Sequence, residues 1–228
     1  MAPKIRNSPT DDTLVLQLAD QLVNGSGFCN QLAQPDNQGR RLVVDAVRAL
    51  LNPVVQPDFL VDILSEPHAS KCFSGCYRCI HRYGNQQYHG LLDWRLGLNT
   101  LQALLDDAFL AGLDKDYSAP GLRDWLSMAE RLAVEAATLF NMRVEHIDGL
   151  PLIELAPRRW GVVVHPFWSR DGLMSFRTLV ADFETDLDAP LEMLSTFDLV
   201  RRMGELIPML RSGSDLSAGL GDQMGLGK

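Results

Sequence analysis

Three of the chain's four cysteines fall within eight residues, as Cys72-x3-Cys76-x2-Cys79. Thiolates are soft donors, and a reduced intracellular protein that clusters them most often does so around tetrahedral zinc. Three sulfurs leave one position to fill. Three residues can fill it: His68, four residues before Cys72; Cys29, directly after the turn "NGSGF"; and His89, ten residues after Cys79. His68 is taken first because it lies on the same loop, Cys29 second and His89 third. A site closed by four protein donors is structural, since catalytic zinc keeps an open position. Gly75 is expected to let the backbone turn back at Cys76, with Ser74 and neighbouring amides hydrogen-bonding to the sulfurs.

The elements that must hold such a site can be read from hydrophobic spacing. An apolar run at 13–20 suits a strand or a short helix, and helices are expected from Phe28 to about Gln34 and over 38–51, ending at "NP". A shorter helix begins at "PD", 57–58. After the cysteines, Trp94, Leu98, Leu101, Leu105 and Ala108 step by 4, 3, 4 and 3, one helical stripe. Leu122, Trp125, Ala129, Leu132, Ala136 and Leu139 form a second stripe behind Pro120. These two helices are expected to pack as an antiparallel pair. Beyond Asn141, "MRVEHI", "LPLIEL", "WGVVVHPFW" and "SFRTLVADFE" read as four short strands. The last apolar segment, 189–210, reads as helical at least in part. The fold class is therefore α+β: a helix-rich zinc-binding half at 13–115, then a smaller α/β half at 116–211. A flexible N-terminus, 1–12, and a Gly-rich flexible tail, 212–228, flank them.

Composition bounds the rest. The 228 residues, 46% hydrophobic and 22% charged, are ordinary for a globular protein. A net charge of −8 argues against a general nucleic-acid coat or a membrane-surface protein, both of which need a broadly positive field. There is no apolar run long enough to span a bilayer and no signal-peptide pattern at the start, so a cytoplasmic location is expected.

The motifs also carry a resemblance. "LVNGSGFCNQLA" followed by "CFSGCYRCIHRYGNQQYHGLLDWRLGLNTL" resembles the MrfA-type zinc-binding domain, found at the C-terminus of certain DEAD/DEAH-box superfamily 2 helicases and in DISARM-type phage-defence proteins. The matching positions are Gly25, Gly27 and Phe28, then Cys72, Cys76, Cys79, Tyr83, Asn85, Gln86, His89, Leu92 and Asp93. The likeness covers roughly residues 13 to 110. It implies a zinc-binding module, a helicase partner and contact with DNA through that complex. Two departures matter: the family's additional cysteine, two residues before Cys72, is Ser70 here, and the chain carries neither a phosphate-binding loop nor a D-E-x-[HD] motor motif. The resemblance thus implies an accessory subunit without a motor of its own, in bacterial antiphage defence.

The segment from Glu66 to Leu98 is locally basic, with Lys71, Arg78, Arg82 and Arg95 against Glu66 and Asp93, and with Tyr77, Tyr83 and Tyr88 interspersed. Lys71, Arg78, Arg82, Tyr83 and Arg95 are the candidate nucleic-acid contacts, since aromatics stack on bases and cations hold phosphates. That pattern supports an alternative function, a free-standing single-strand-binding module. A third, weaker reading is a Mg²⁺-dependent nuclease using Glu145, Asp148, Glu154, Asp182 and Glu184, although no lysine follows at the spacing such enzymes use. No catalytic residue is assigned; the chain is read as a non-enzyme.

Overall fold

The computed structural model describes residues 31–32, 34–52, 54–168 and 174–208. The expected run at 13–20, most of the Phe28–Gln34 helix, Cys29 and both flexible ends lie outside the described residues. The chain divides between Pro57 and Asp58 into two units. The first contains helix α1, Leu42–Leu51, which ends before Asn52 as the "NP" signal requires. Ahead of it, the Asp36 carboxylate accepts the backbone N–H groups of Gln38 and Arg40, forming a small loop closed by a bridge between Pro35 and Arg41.

The second unit is an α+β fold. In order it holds α2 (Asp58–Leu64), α3 (Glu66–Ala69), a 3-10 turn (Tyr83–Tyr88), α4 (Trp94–Leu105), α5 (Trp125–Phe140), β1 (Val144–Ile147), β2 (Leu150–Ala156), β3 (Arg159–Val164), α6 (Met174–Leu187), β4 (Leu191–Ser195) and α7 (Thr196–Arg201). The boundary expected near residue 115 falls inside this unit. Polar bonds cross it, from Arg95 to Asp124 and from Asn99 to His165, and Phe73 packs against the core of the α/β part.

The strands form one sheet in the order β1-β2-β3-β4. β1, β2 and β3 are an antiparallel meander. The first hairpin turns at Asp148 and Gly149, both at positive φ (50° and 83°), the geometry a two-residue Asp-Gly turn favours. β4 runs parallel to β3, so the chain must cross over the sheet between them. That crossover is α6, in place of the strand expected at "SFRTLVADFE". Phe176, Val180 and Phe183 step by 4 and 3 and are all buried, which is one helical face and not the alternation of a strand. The fourth strand lies in the following segment, Leu191–Ser195, within the stretch expected to be helical. Ser195 ends it and caps α7, its hydroxyl oxygen accepting the Asp198 N–H at 3.1 Å.

α5 buries Trp125, Met128, Ala129, Leu132, Ala133, Ala136 and Ala137 and lays that face on the sheet, chiefly against β2. The expected antiparallel pair with α4 does not form along the two helices; α4 meets the start of α5 through Arg95 and Asp124. α5 also begins later than Pro120 suggests, at Trp125 after Asp124. Asp124 stands at the capping position but makes no capping bond; its carboxylate is taken by Arg95. A buried histidine links α4 to the end of β3. The Phe167 N–H donates to His165 Nδ1 at 3.1 Å, so the neutral ring carries its proton on Nε2. That nitrogen faces the Asn99 side-chain amide at 3.0 Å, and the amide must present its oxygen.

Candidate metal centre

The short helix α3 and the loop after it bring the ligands together. Pro67 sits in the first turn of α3, where its missing N–H costs nothing. One turn places His68 inward, and the chain then doubles back through Cys72, whose N–H donates to the His68 carbonyl at 2.9 Å. A tight turn from Cys76 to Cys79 follows, with the Cys79 N–H donating to Cys76 O at 3.1 Å. His68, Cys72 and Cys79 are buried and Cys76 is partly so.

The four donor atoms all lie within 4.8 Å of one another. Cys72 Sγ is 3.8 Å from Cys79 Sγ, Cys76 Sγ is 3.7 Å from Cys79 Sγ, and Cys76 Sγ is 3.5 Å from His68 Nε2. These are three of the six donor–donor distances, and the remaining three lie within 4.8 Å. With metal–sulfur bonds of about 2.3 Å and metal–nitrogen bonds of about 2.0–2.1 Å, a tetrahedral zinc site has sulfur–sulfur edges of about 3.8 Å and a nitrogen–sulfur edge of about 3.5 Å. The donor set and its spacing fit a metal ion.

Tautomer and charge agree with that fit. His68 Nδ1 lies 2.7 Å from the Ile63 carbonyl, which can only accept, so Nδ1 carries the proton and the Nε2 lone pair faces the sulfurs. Burial pushes the Cys72 thiol up to about 12, helped by the neighbouring Cys79. Cys76 is also raised by burial, but His68 and the backbone N–H groups of Arg78 and Cys79 outweigh it and pull the thiol down to about 7. Left to itself, the cluster favours thiolate at Cys76 and opposes it at Cys72. A cation removes that conflict by compensating every sulfur at once.

Of the three candidates for the fourth position, His68 joins the cysteines. His89 does not: its ring stacks on His81 at 3.9 Å between centroids, and its Nε2 lies 2.9 Å from Asn85 Oδ1. Cys29 lies outside the described residues. Gly75 takes no positive φ; its missing side chain makes room for the His81 ring, whose Nε2 would stand 2.6 Å from an added Cβ. The backbone N–H groups of the turn do bond to its sulfurs: the Cys76 N–H reaches Cys79 Sγ at 3.1 Å, and those of Arg78 and Cys79 act on Cys76 Sγ. Ser74 contributes its carbonyl instead, accepting the Trp94 N–H at 2.8 Å.

The motif residues after the cysteines build a hydrogen-bonded ring. Asn85 Oδ1 accepts the Arg82 N–H at 2.7 Å while its Nδ2 donates to Ile80 O at 3.0 Å. Gln86 Nε2 donates to the Tyr77 hydroxyl at 3.2 Å. Asp93 caps α4, accepting the Leu96 N–H at 3.0 Å.

The expected nucleic-acid contacts separate into two groups. Lys71, Arg78, Arg82 and Tyr83 are exposed, Tyr83 at 86%. Arg78 is ion-paired with Asp62, and Arg82 donates to the His81 carbonyl at 2.7 Å. Arg95 is a correction: it is 2% exposed and wholly enclosed, so it cannot reach a phosphate. Sequence spacing hides this, because Arg95 stands beside the Trp94–Leu98 stripe. Asn99, one turn further on, shares the buried side of α4 with Arg95.

The carboxylates weighed for a nuclease do not converge. Glu154 pairs with Arg143, Asp148 pairs with Lys115, and Glu184 Oε1 accepts the Leu191 N–H. Among the described residues the one group of three or more candidate ligands is the His/Cys cluster, and no helix is long and apolar enough to cross a membrane. Comparison with protein-family models, with curated proteins and with solved structures gives no match.

Proposed function

We propose that His68, Cys72, Cys76 and Cys79 hold a structural zinc ion and that the chain is a non-catalytic accessory subunit of a superfamily 2 DNA helicase in antiphage defence. The observation that carries the metal reading is the convergence of one nitrogen and three sulfurs within 4.8 Å, three of their distances matching the edges of a zinc tetrahedron and three of the four residues being buried. Four protein donors leave no open position for a substrate, so the ion's work is to hold the loop. The helicase assignment is supported by the resemblance of the cysteine segment and its following Tyr83, Asn85, Gln86 and His89 to the MrfA-type domain, and by the lack of motor motifs in the sequence.

Affinity purification of the tagged chain from its own cells, with mass spectrometry, tests the partner. A stoichiometric helicase lacking its own C-terminal zinc domain is the expected result. A clean monomer overturns the accessory-subunit reading. It would favour the second reading, single-strand binding, which is supported by the exposure of Tyr77 (63%) and Tyr83 (86%) near Lys71 and Arg82. That alternative predicts binding by the isolated chain that weakens steeply with salt.

A further inference from the structure

The Arg95 guanidinium has five N–H donors, and every one is engaged. Nε donates to Asp124 Oδ1 at 3.0 Å and Nη2 to Asp124 Oδ2. Nη2 also reaches Ala69 O at 2.9 Å, and Nη1 reaches Cys72 O at 2.7 Å and Phe73 O at 3.1 Å. The side chain is 3% exposed. A buried cation is strongly unfavourable unless a counter-charge and full hydrogen bonding compensate it, and both are supplied here.

The three carbonyls are not scattered. One belongs to Ala69, directly after the ligand His68; one belongs to the ligand Cys72; one belongs to Phe73, directly after it. Cys72 O also accepts the Trp94 indole N–H at 3.1 Å. Arg131 of α5 donates to Ser70 O at 2.8 Å, and its guanidinium carbon stands 3.9 Å over the Phe73 ring. The peptide planes of residues 69–73 are therefore oriented from α4 and α5. Among the described residues the Cys76–Cys79 turn takes no such bond from α4 or α5; it is closed by bonds between the two cysteines, by the His81 N–H on Cys76 O at 3.0 Å, and by the Arg78–Asp62 ion pair to α2. The site thus has one half whose carbonyls are held from α4 and α5 and one half held by its own turn and by α2.

We propose that the Arg95–Asp124 pair is a positioning clamp that sets the metal affinity of the cluster from outside its four ligands. The proposal rests on the metal reading above. By reciprocity, an ion bound between the two halves tightens the clamp.

The test uses the full chain, stripped with a chelator and titrated with Zn²⁺ against a chromophoric competitor and separately with Co²⁺, whose visible spectrum reports coordination geometry. The expected result is one ion per chain in the native protein. In Arg95→Lys the affinity falls about 10- to 100-fold, because an ammonium cannot reproduce the planar five-donor array. Asp124→Asn, which keeps the shape and removes the counter-charge, weakens binding in the same direction and alters the Co²⁺ bands, while both variants keep a native circular dichroism spectrum. Zn²⁺ affinity and Co²⁺ bands unchanged in a folded variant overturn the clamp and leave the metal reading intact. A native chain that binds neither ion overturns the metal reading and the clamp with it. A measurement on the unsubstituted protein stands beside these: the Arg95 Nε–H resonance should exchange slowly with metal bound and faster after chelation, and an unchanged lifetime overturns the proposal even if the variants do not fold.

Discussion

The cysteine loop, residues 66–93, and the sheet layer, residues 125–201, are stabilised by different means. The sheet layer buries a continuous apolar set, among them Trp125, Ile153, Val163, Phe176 and Leu194, each at 1% exposure or less. Its stability comes from area removed from water and from close packing. The cysteine loop buries little that is apolar. In it the buried groups are sulfurs, an imidazole, a serine and one small apolar side chain, Ala69, and apart from the packing of Phe73 what reaches it from the body is a set of directed bonds to carbonyl oxygens. Area-driven structure tolerates many substitutions by small increments. Donor-driven structure fails at single atoms.

Two substitutions break this comparison most directly. Cys76→Ser removes one of four donors and should abolish stoichiometric zinc, with amide protection lost across residues 68–81 and largely kept in β2 and β3. Zinc analysis and hydrogen exchange read the two effects. Full zinc with unchanged exchange would refute the metal centre. Phe176→Ala does the reverse. It removes a side chain that is 1% exposed from the crossover helix and should cost about 3–5 kcal/mol in urea unfolding, while the metal-loaded cluster keeps its affinity. Loss of less than about 1 kcal/mol would mean that α6 does not cover the sheet as described.

A smaller effect separates the two regions by pH. Burial pulls the His165 imidazole down from its ordinary value of 6.5 to about 3. Between those values the unfolded chain binds a proton that the native ring refuses, so the native state loses stability as pH falls from 6.5 toward 3, by up to about 1.4 kcal/mol per pH unit for one proton. The stability is fully present above 6.5. His165→Gln keeps a neutral polar group there and should flatten this part of the profile in metal-free protein, where ligand protonation at a loaded site does not contribute. A profile as steep as that of the native chain would show that His165 is not the group responsible.

The same contrast explains what could be read in the sequence. The metal ligands are identified by atom type, and His68 precedes Cys72 by one helical turn, so the cluster was legible once local spacing was considered. α4 and strands β1 and β2 were legible too, from an apolar stripe and from the short runs "MRVEHI" and "LPLIEL". The crossover was not. "SFRTLVADFE" is rich in β-branched and aromatic residues, and only the positions 176, 180 and 183 disclose its period. "LEMLS" is five residues long and becomes a strand because β3 offers it an edge, which is tertiary information. Arg95 was illegible for a related reason: an arginine reads as surface until three carbonyls and a carboxylate, the latter 29 residues away, are seen to enclose it.

Asp93 provides the finest test, because it stands where the two regions meet. Its carboxylate accepts the first-turn N–H of Leu96 and so starts α4 directly after the cysteine loop. Burial raises its pKa from the ordinary 3.8, and the Leu96 N–H and the Arg95 charge offset only part of that. A carboxyl whose native pKa lies above its unfolded value holds its proton more tightly when folded. Stability from this group is therefore greatest below about 3.8 and declines as pH rises through the native value, leaving a fixed penalty at neutral pH. Asparagine caps a helix about as well as aspartate and carries no charge to desolvate. Asp93→Asn should thus match or exceed the native melting temperature at pH 7, with the difference vanishing near pH 3. Asp93→Ala should lose about 1 kcal/mol at both pH values, because the Leu96 N–H is left without its acceptor. If asparagine destabilises as much as alanine at pH 7, the charge itself is what α4 needs, and the carboxylate contributes more to Arg95 than the cap does.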